Sequence, residues 1–171
     1  MARLVLSDAS PLIGLAIVRG LEWLQPLFGE VWLPTQVQNE VLAGGVPRGA
    51  EEIRAAIAAG WLRVWQAPFA EVELPDLDEG EAACIRIALA HQARPGHQAL
   101  LLMDERAGRA VAAEHGLRVA GTAAVIGMAR KAHLMPSARG AFEPKNSSYR
   151  GAESAGGGVG RPIWPTMRLQ M

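Results

Sequence analysis

Short apolar runs alternate with helical patterns along residues 4–134, and this alternation limits the fold more than any other feature of the chain. Residues 4–6 read as a strand. Ser10 and Pro11 supply an N-cap and a proline at the first helical position, so 11–19 reads as a helix closed by Gly20. A second helical piece follows at 21–27, and 30–33 reads as a strand ended by Pro34. Thr35 begins a capping-box pattern with Gln38, giving a helix to about residue 43. Further helices are expected over 47–59, 78–93, 105–115 and 122–134, and further strands over 61–66, 98–103 and 117–120. QALLLM at 98–103 is apolar nearly throughout, as a central strand would be. The alternation predicts an α/β fold, Rossmann-like, with three α/β/α layers around a mostly parallel sheet. In such sheets ligands gather at the carboxyl ends of the strands.

The 171 residues suffice for one domain with a real core. The expected boundaries are a domain over 1–135 and an irregular, Gly/Pro-rich tail over 136–171, which holds six glycines and four prolines. Net charge is zero, but the tail carries five basic and two acidic residues. That leaves 12 basic against 15 acidic in the body, a net of −3, and no clustered Lys/Arg surface for general polyanion binding. No apolar run is long enough for a membrane span. Asp8 and Pro11 interrupt the first residues where a signal peptide would need an apolar run, so a cytoplasmic location is the expectation. A single cysteine, Cys84, excludes a multi-Cys zinc site and reads as a core residue.

The acidic residues fall at telling places. Asp8 ends the first strand and Asp104 ends QALLLM, which puts two carboxylates at one sheet edge. Glu40 lies beside apolar Val37 and Val41 on its helix, and Glu81 opens the helix before QALLLM. Carboxylates converging without basic partners repel one another and raise their own pKa values, a state that a divalent cation relieves. Hard oxygen ligands suit Mg²⁺ or Mn²⁺, which can position a phosphodiester and activate a water. Each carboxylate also has a purely structural reading: Asp8 could cap the next helix or an Asx-turn, and Glu40 could be a solvated helical glutamate. Asp78 with Glu81 forms a capping-box pattern and competes with it for the third acidic position, and Asp104 could cap the helix starting at Glu105.

The stretches LVLSDASPLIGLA, VWLPTQVQNEVL, LDEGEAACIRIALA and LLLMDERAGRAVAAEHGLRVAGTAAVIGMA, in that order, resemble the PIN domain family. The resemblance is to the prokaryotic, predicted nucleic-acid-binding branch related to VapC-like toxins. It implies a metal-dependent endoribonuclease that hydrolyses RNA with Mg²⁺ or Mn²⁺, with Asp8, Glu40, Glu81 and Asp104 as the acidic quartet. It further implies that Ser10 orients Asp8, that Thr122 contacts metal-bound water or phosphate, and that Arg106 touches RNA phosphates, with Arg109 near it. An antitoxin protein and a homodimer follow as expected partners. A catalytically silent RNA-binding or interaction module is the rival reading. Two features depart from the family pattern: the third acid is a glutamate early in its helix, and a glycine-rich tail stands where further helical structure is usual.

Overall fold

The computed structural model describes residues 3–43, 49–69 and 72–135. The tail expected over 136–171 lies outside them, as does the start of the helix expected from residue 47. Five strands alternate with seven α-helices among the described residues: β1 (Arg3–Ser7), α1 (Ala9–Ile17), α2 (Leu24–Phe28), β2 (Val31–Pro34), α3 (Thr35–Ala43), α4 (Ala50–Ala58), β3 (Leu62–Trp65), α5 (Glu79–Gln92), β4 (Gln98–Leu102), α6 (Arg106–Glu114), β5 (Arg118–Ala120) and α7 (Thr122–Lys131). A 3₁₀ turn, Leu21–Trp23, precedes α2. The strands form one all-parallel sheet in the order β3-β2-β1-β4-β5, and helices pack on it to give the three-layer α/β architecture that the alternation predicts.

The apolar strands explain the layering. Leu4, Val5 and Leu6 of β1 and Leu101 and Leu102 of β4 are buried, as is Met103 just beyond β4. A parallel strand covered on both faces buries both sets of side chains, hence the near-continuous apolar runs. β1 pairs β4 along its whole length, Arg3 opposite Gln98 through Ser7 opposite Leu102, and pairs β2 at Leu6 opposite Trp32. The central strand is therefore β1. β4 lies one place off centre, with the three-residue β5 as the single strand beyond it.

Chain order runs outward from β1 in one direction through β2 and β3, and in the other through β4 and β5. The switch point thus lies between β1 and β4, where α/β sheets bind ligands at their carboxyl ends. Every helix that follows a parallel strand begins at that edge, so the partial positive charge of its first turn faces it.

Three local expectations change. α1 begins at Ala9 with Asp8 in the N-cap position, two residues before the start expected from Ser10, so Ser10 lies inside the helix and caps nothing. Pro34 belongs to β2, paired with Trp65, because its missing N–H falls at the strand end where no ladder bond is lost. α4 starts at Ala50, after Gly49 turns the chain with φ 105°.

Candidate active site

The carboxyl edge at the switch point is acidic. Asp8 follows β1, its N–H donating to Leu102 O (2.9 Å), and its side chain is almost fully enclosed at 3% exposure. Glu81, in the first turn of α5, is 4% exposed, and its Oε1 has no hydrogen-bond partner. A buried carboxylate oxygen without a well-formed hydrogen bond is costly, since the water it has lost is poorly replaced. Glu40 on α3 and Asp78 before α5 complete the group from more exposed positions.

Charge couples these residues. The charged groups acting on Asp8 are Asp78, Glu81 and Glu40, all carboxylates. Burial first, then this repulsion, pushes the Asp8 carboxyl up to about 7, with the Ala9 backbone N–H opposing. Burial and Asp78 raise Glu40. Burial raises Glu81 too, with Asp78 and Glu105 adding to it while the backbone N–H groups of Asp78 and Gly108 pull the other way. Beneath them the Cys84 thiol is fully buried and pushed well above its usual range by desolvation and by the same acids. The common neighbour is Asp78, which sequence reasoning placed only as a competitor of Glu81.

Local sequence explains how so many acids reach one edge. Asp78 caps α5, accepting from Glu81 N–H at 2.8 Å. Gly80 directly precedes Glu81 in that first turn. A Cβ there would lie 3.2 Å from Asp8 Oδ1 and 3.3 Å from Asp78 Oδ1, so these two carboxylates flank the same small space. Gly108 of α6 makes room for Glu81 in the same way: a Cβ would lie 2.5 Å from its Oε1 and 2.5 Å from Met103 Sδ. The DEGEAA segment thus carries a second acid and the small residue that admits it, a signal present in the sequence itself.

Asp104 behaves differently. It follows β4 at the same edge, but its carboxylate is exposed and engaged by one residue: Thr122 N–H donates to Oδ1 (2.7 Å) and the Thr122 hydroxyl to Oδ2 (2.5 Å). Asp104 therefore caps α7. The helix starting at Arg106 instead has Glu105 at its N-cap position, without a side-chain bond. A Cβ on Gly121 would lie 2.7 Å from Asp104 Oδ1 and 2.8 Å from Arg109 Nη1, so the carboxylate and the guanidinium face each other across that glycine. Arg106 is exposed in the first turn of α6, and Ser10 is half-buried in the first turn of α1. Asp104 is absent from the groups acting on Asp8, Glu40 and Glu81.

The donor set is chemically right for a hard divalent cation: oxygen only, buried in part, mutually repelling, and with one orphaned oxygen at Glu81. As positioned, no three His, Cys, Asp or Glu side chains among the described residues stand together as a formed metal site.

A parallel three-layer domain with an acidic switch point is the class these observations define. The model of the PIN domain family matches residues 4–147, and the chain belongs to that family. PIN domains have a nuclease-type fold, are usually hydrolases and generally use divalent metal ions. No curated protein matches the chain. No helix among the described residues is long and apolar enough to cross a membrane.

Two outcomes follow from this geometry. With metal chelated, stability should fall as pH rises from about 4 to about 7, because the folded state holds protons on Asp8, Glu81 and Glu40 that the unfolded chain has released. Ionising Asp8 in place costs the folded state about 4 kcal/mol. Urea titrations at pH 5 and 8 should show Asp8→Asn flattening the slope and exceeding wild type at pH 8, and a wild-type profile rising with pH would contradict it. Separately, Asp104→Ala should cost about 1 kcal/mol through lost capping of α7, while Asp104→Asn, which keeps an acceptor for Thr122 N–H, should cost less than half of that.

Proposed function

We propose that the chain is a metal-dependent endoribonuclease whose centre is the acidic edge between β1 and β4. The observation that carries this reading is the enclosed carboxylate pair Asp8 and Glu81, raised by burial, with acids as the charged groups acting on both and one oxygen lacking a side-chain or backbone partner within hydrogen-bond geometry. Such a pair is a standing cost unless a cation occupies the space. Asp8, Glu40, Glu81 and Asp78 would hold Mg²⁺ or Mn²⁺, and Asp104 is the acid that the family resemblance adds. The ion, when bound, supplies charge to the scissile phosphate and lowers the pKa of an attacking water.

The protein's own contribution is positioning. Asp8 is fixed by the strand ladder through its backbone N–H, and Glu81 is sealed against Gly108 and Met103. Thr122 holds both oxygens of Asp104, which sets that carboxylate's direction. Arg106 and Arg109, one turn apart on α6, offer cations to the RNA backbone beside the acids, and the helix N-termini at this edge favour phosphate too. Ser10, next to Asp8 in the first turn of α1, can donate to it.

The same reading extends to a type II toxin whose antitoxin covers the acidic edge with a basic segment. Ile17 and Val18, 56% and 50% exposed at the end of α1, offer an apolar contact to a second copy. The rival reading, a silent RNA-binding or interaction module, has its own support: Asp104 and Asp78 both serve as caps, and no three acids stand as a formed metal site among the described residues.

Incubation of the full chain with end-labelled RNA and Mn²⁺ separates the two. The nuclease reading expects internal cleavage that a chelator abolishes and that Asp8→Asn lowers about a hundredfold or more. RNA retained intact with Mn²⁺, or cleavage that survives Asp8→Asn, contradicts it.

A further inference from the structure

Next to the acidic centre lies a pocket that the proposed chemistry does not use. It encloses about 340 Å³ between α3 and α5, and is lined by Gln36 of α3, by Phe69, Val72 and Glu73 of the segment joining β3 to α5, and by Glu79 and Arg86 of α5. That volume is at the lower end of small-molecule sites. We infer that this pocket binds one unpaired, amino-bearing base of the RNA strand beside the cleavage centre. The inference rests on the nuclease reading for its substrate class, and deepens it by assigning base selection to residues outside the acidic group.

The lining selects the chemistry. Arg86 is committed to the wall: its Nε donates to Val72 O at 2.8 Å and its Nη1 lies 3.7 Å from Glu79 Oε2. With that guanidinium balanced by Glu79 and with Glu73 adding a second carboxylate, the pocket is net negative. Phosphate is disfavoured there, and a neutral group presenting N–H donors is favoured. Phe69 and Val72 supply an apolar wall on which a planar ring can stack, the sequence-tolerant half of single-strand recognition. Gln36 offers both a donor and an acceptor. A carboxylate accepts from an exocyclic amine, as glutamate does from cytosine N4, whereas uracil presents a carbonyl oxygen that Glu73 would repel. Adenine, cytosine and guanine offer that exocyclic amine, whereas uracil offers one ring N–H, at N3, flanked by two carbonyl oxygens that the carboxylate repels.

Position supports the assignment. Gln36 and Glu40 are four residues apart on one face of α3, a separation of about one 5.4 Å turn. Glu79 directly follows Asp78, the carboxylate shared by the acidic group. On the inference, a strand with its phosphate at the acids turns a neighbouring base toward the pocket that Gln36 and Glu79 line with Phe69.

The test measures nucleotide binding to the metal-free full chain by ligand-observed NMR, using AMP, CMP and UMP as probes. AMP and CMP should bind about tenfold more tightly than UMP. Phe69→Ala should weaken CMP about tenfold while Phe69→Tyr retains it, and Glu73→Gln should bring UMP to within about threefold of CMP. Equal binding of the three nucleotides, no binding of any, or indifference to both Phe69→Ala and Glu73→Gln overturns the inference. So does competition by arginine amide in place of CMP, which would mark a site for a protein side chain. Because no metal or cleavage is involved, the two readings fail separately. Phe69-dependent CMP binding without RNA cleavage removes the nuclease reading alone, and cleavage without nucleotide selectivity removes the base pocket alone.

Discussion

Repulsion among carboxylates gathered at one sheet edge, two of them buried, organises this molecule. A lone buried acid normally finds a cation or protonates. Here Asp8 and Glu81 are enclosed, and the charged groups that act on them are further acids. Their raised affinity for protons is the electrostatic equivalent of a demand for positive charge. A surplus of this kind at a ligand-binding edge is characteristic of functional sites rather than of stabilising ones.

The backbone makes the arrangement unavoidable. Full-length pairing of β1 with β4 brings the ends of both strands to one edge, and the reversal of strand order between them opens that edge to ligands. Glycines at 80, 108 and 121 then permit the acids to approach where a Cβ would obstruct them. Asp104 is governed by a different interaction, its two bonds to Thr122, which tie the end of β4 to the start of α7. The edge thus combines a strained acidic group with a satisfied acid beside it.

Much of this was legible in the residues. Strand–helix alternation gave the parallel three-layer fold, because apolar runs bounded by caps leave few other architectures, and the resemblance to PIN domains agrees with the family match over 4–147. Aspartates directly after apolar runs marked the edge. What one sequence could not supply was anything that depends on side-chain direction. Ser10–Pro11 resembles a helix start, yet Asp8 takes the N-cap position because the strand ends there and the chain must turn at once. Asp104 looked like a cap for the next helix and instead reaches α7, eighteen residues on. Asp78 appeared as one half of a local capping box, and only the folded arrangement shows it acting on Asp8, Glu40 and Glu81 together. The pocket at Phe69 and Arg86 joins a loop to two helices, and no periodic pattern encodes such a meeting.

The most direct measurement of the central claim is calorimetric titration of Mn²⁺ into the metal-free full chain near pH 6.5, repeated in buffers of different ionisation enthalpy. If the acids are held partly protonated by burial and mutual repulsion, Mn²⁺ binds and releases protons, and both the binding and the proton release are lost in Asp8→Asn. Failure to bind Mn²⁺, or binding without proton release that Asp8→Asn leaves unchanged, would contradict the account.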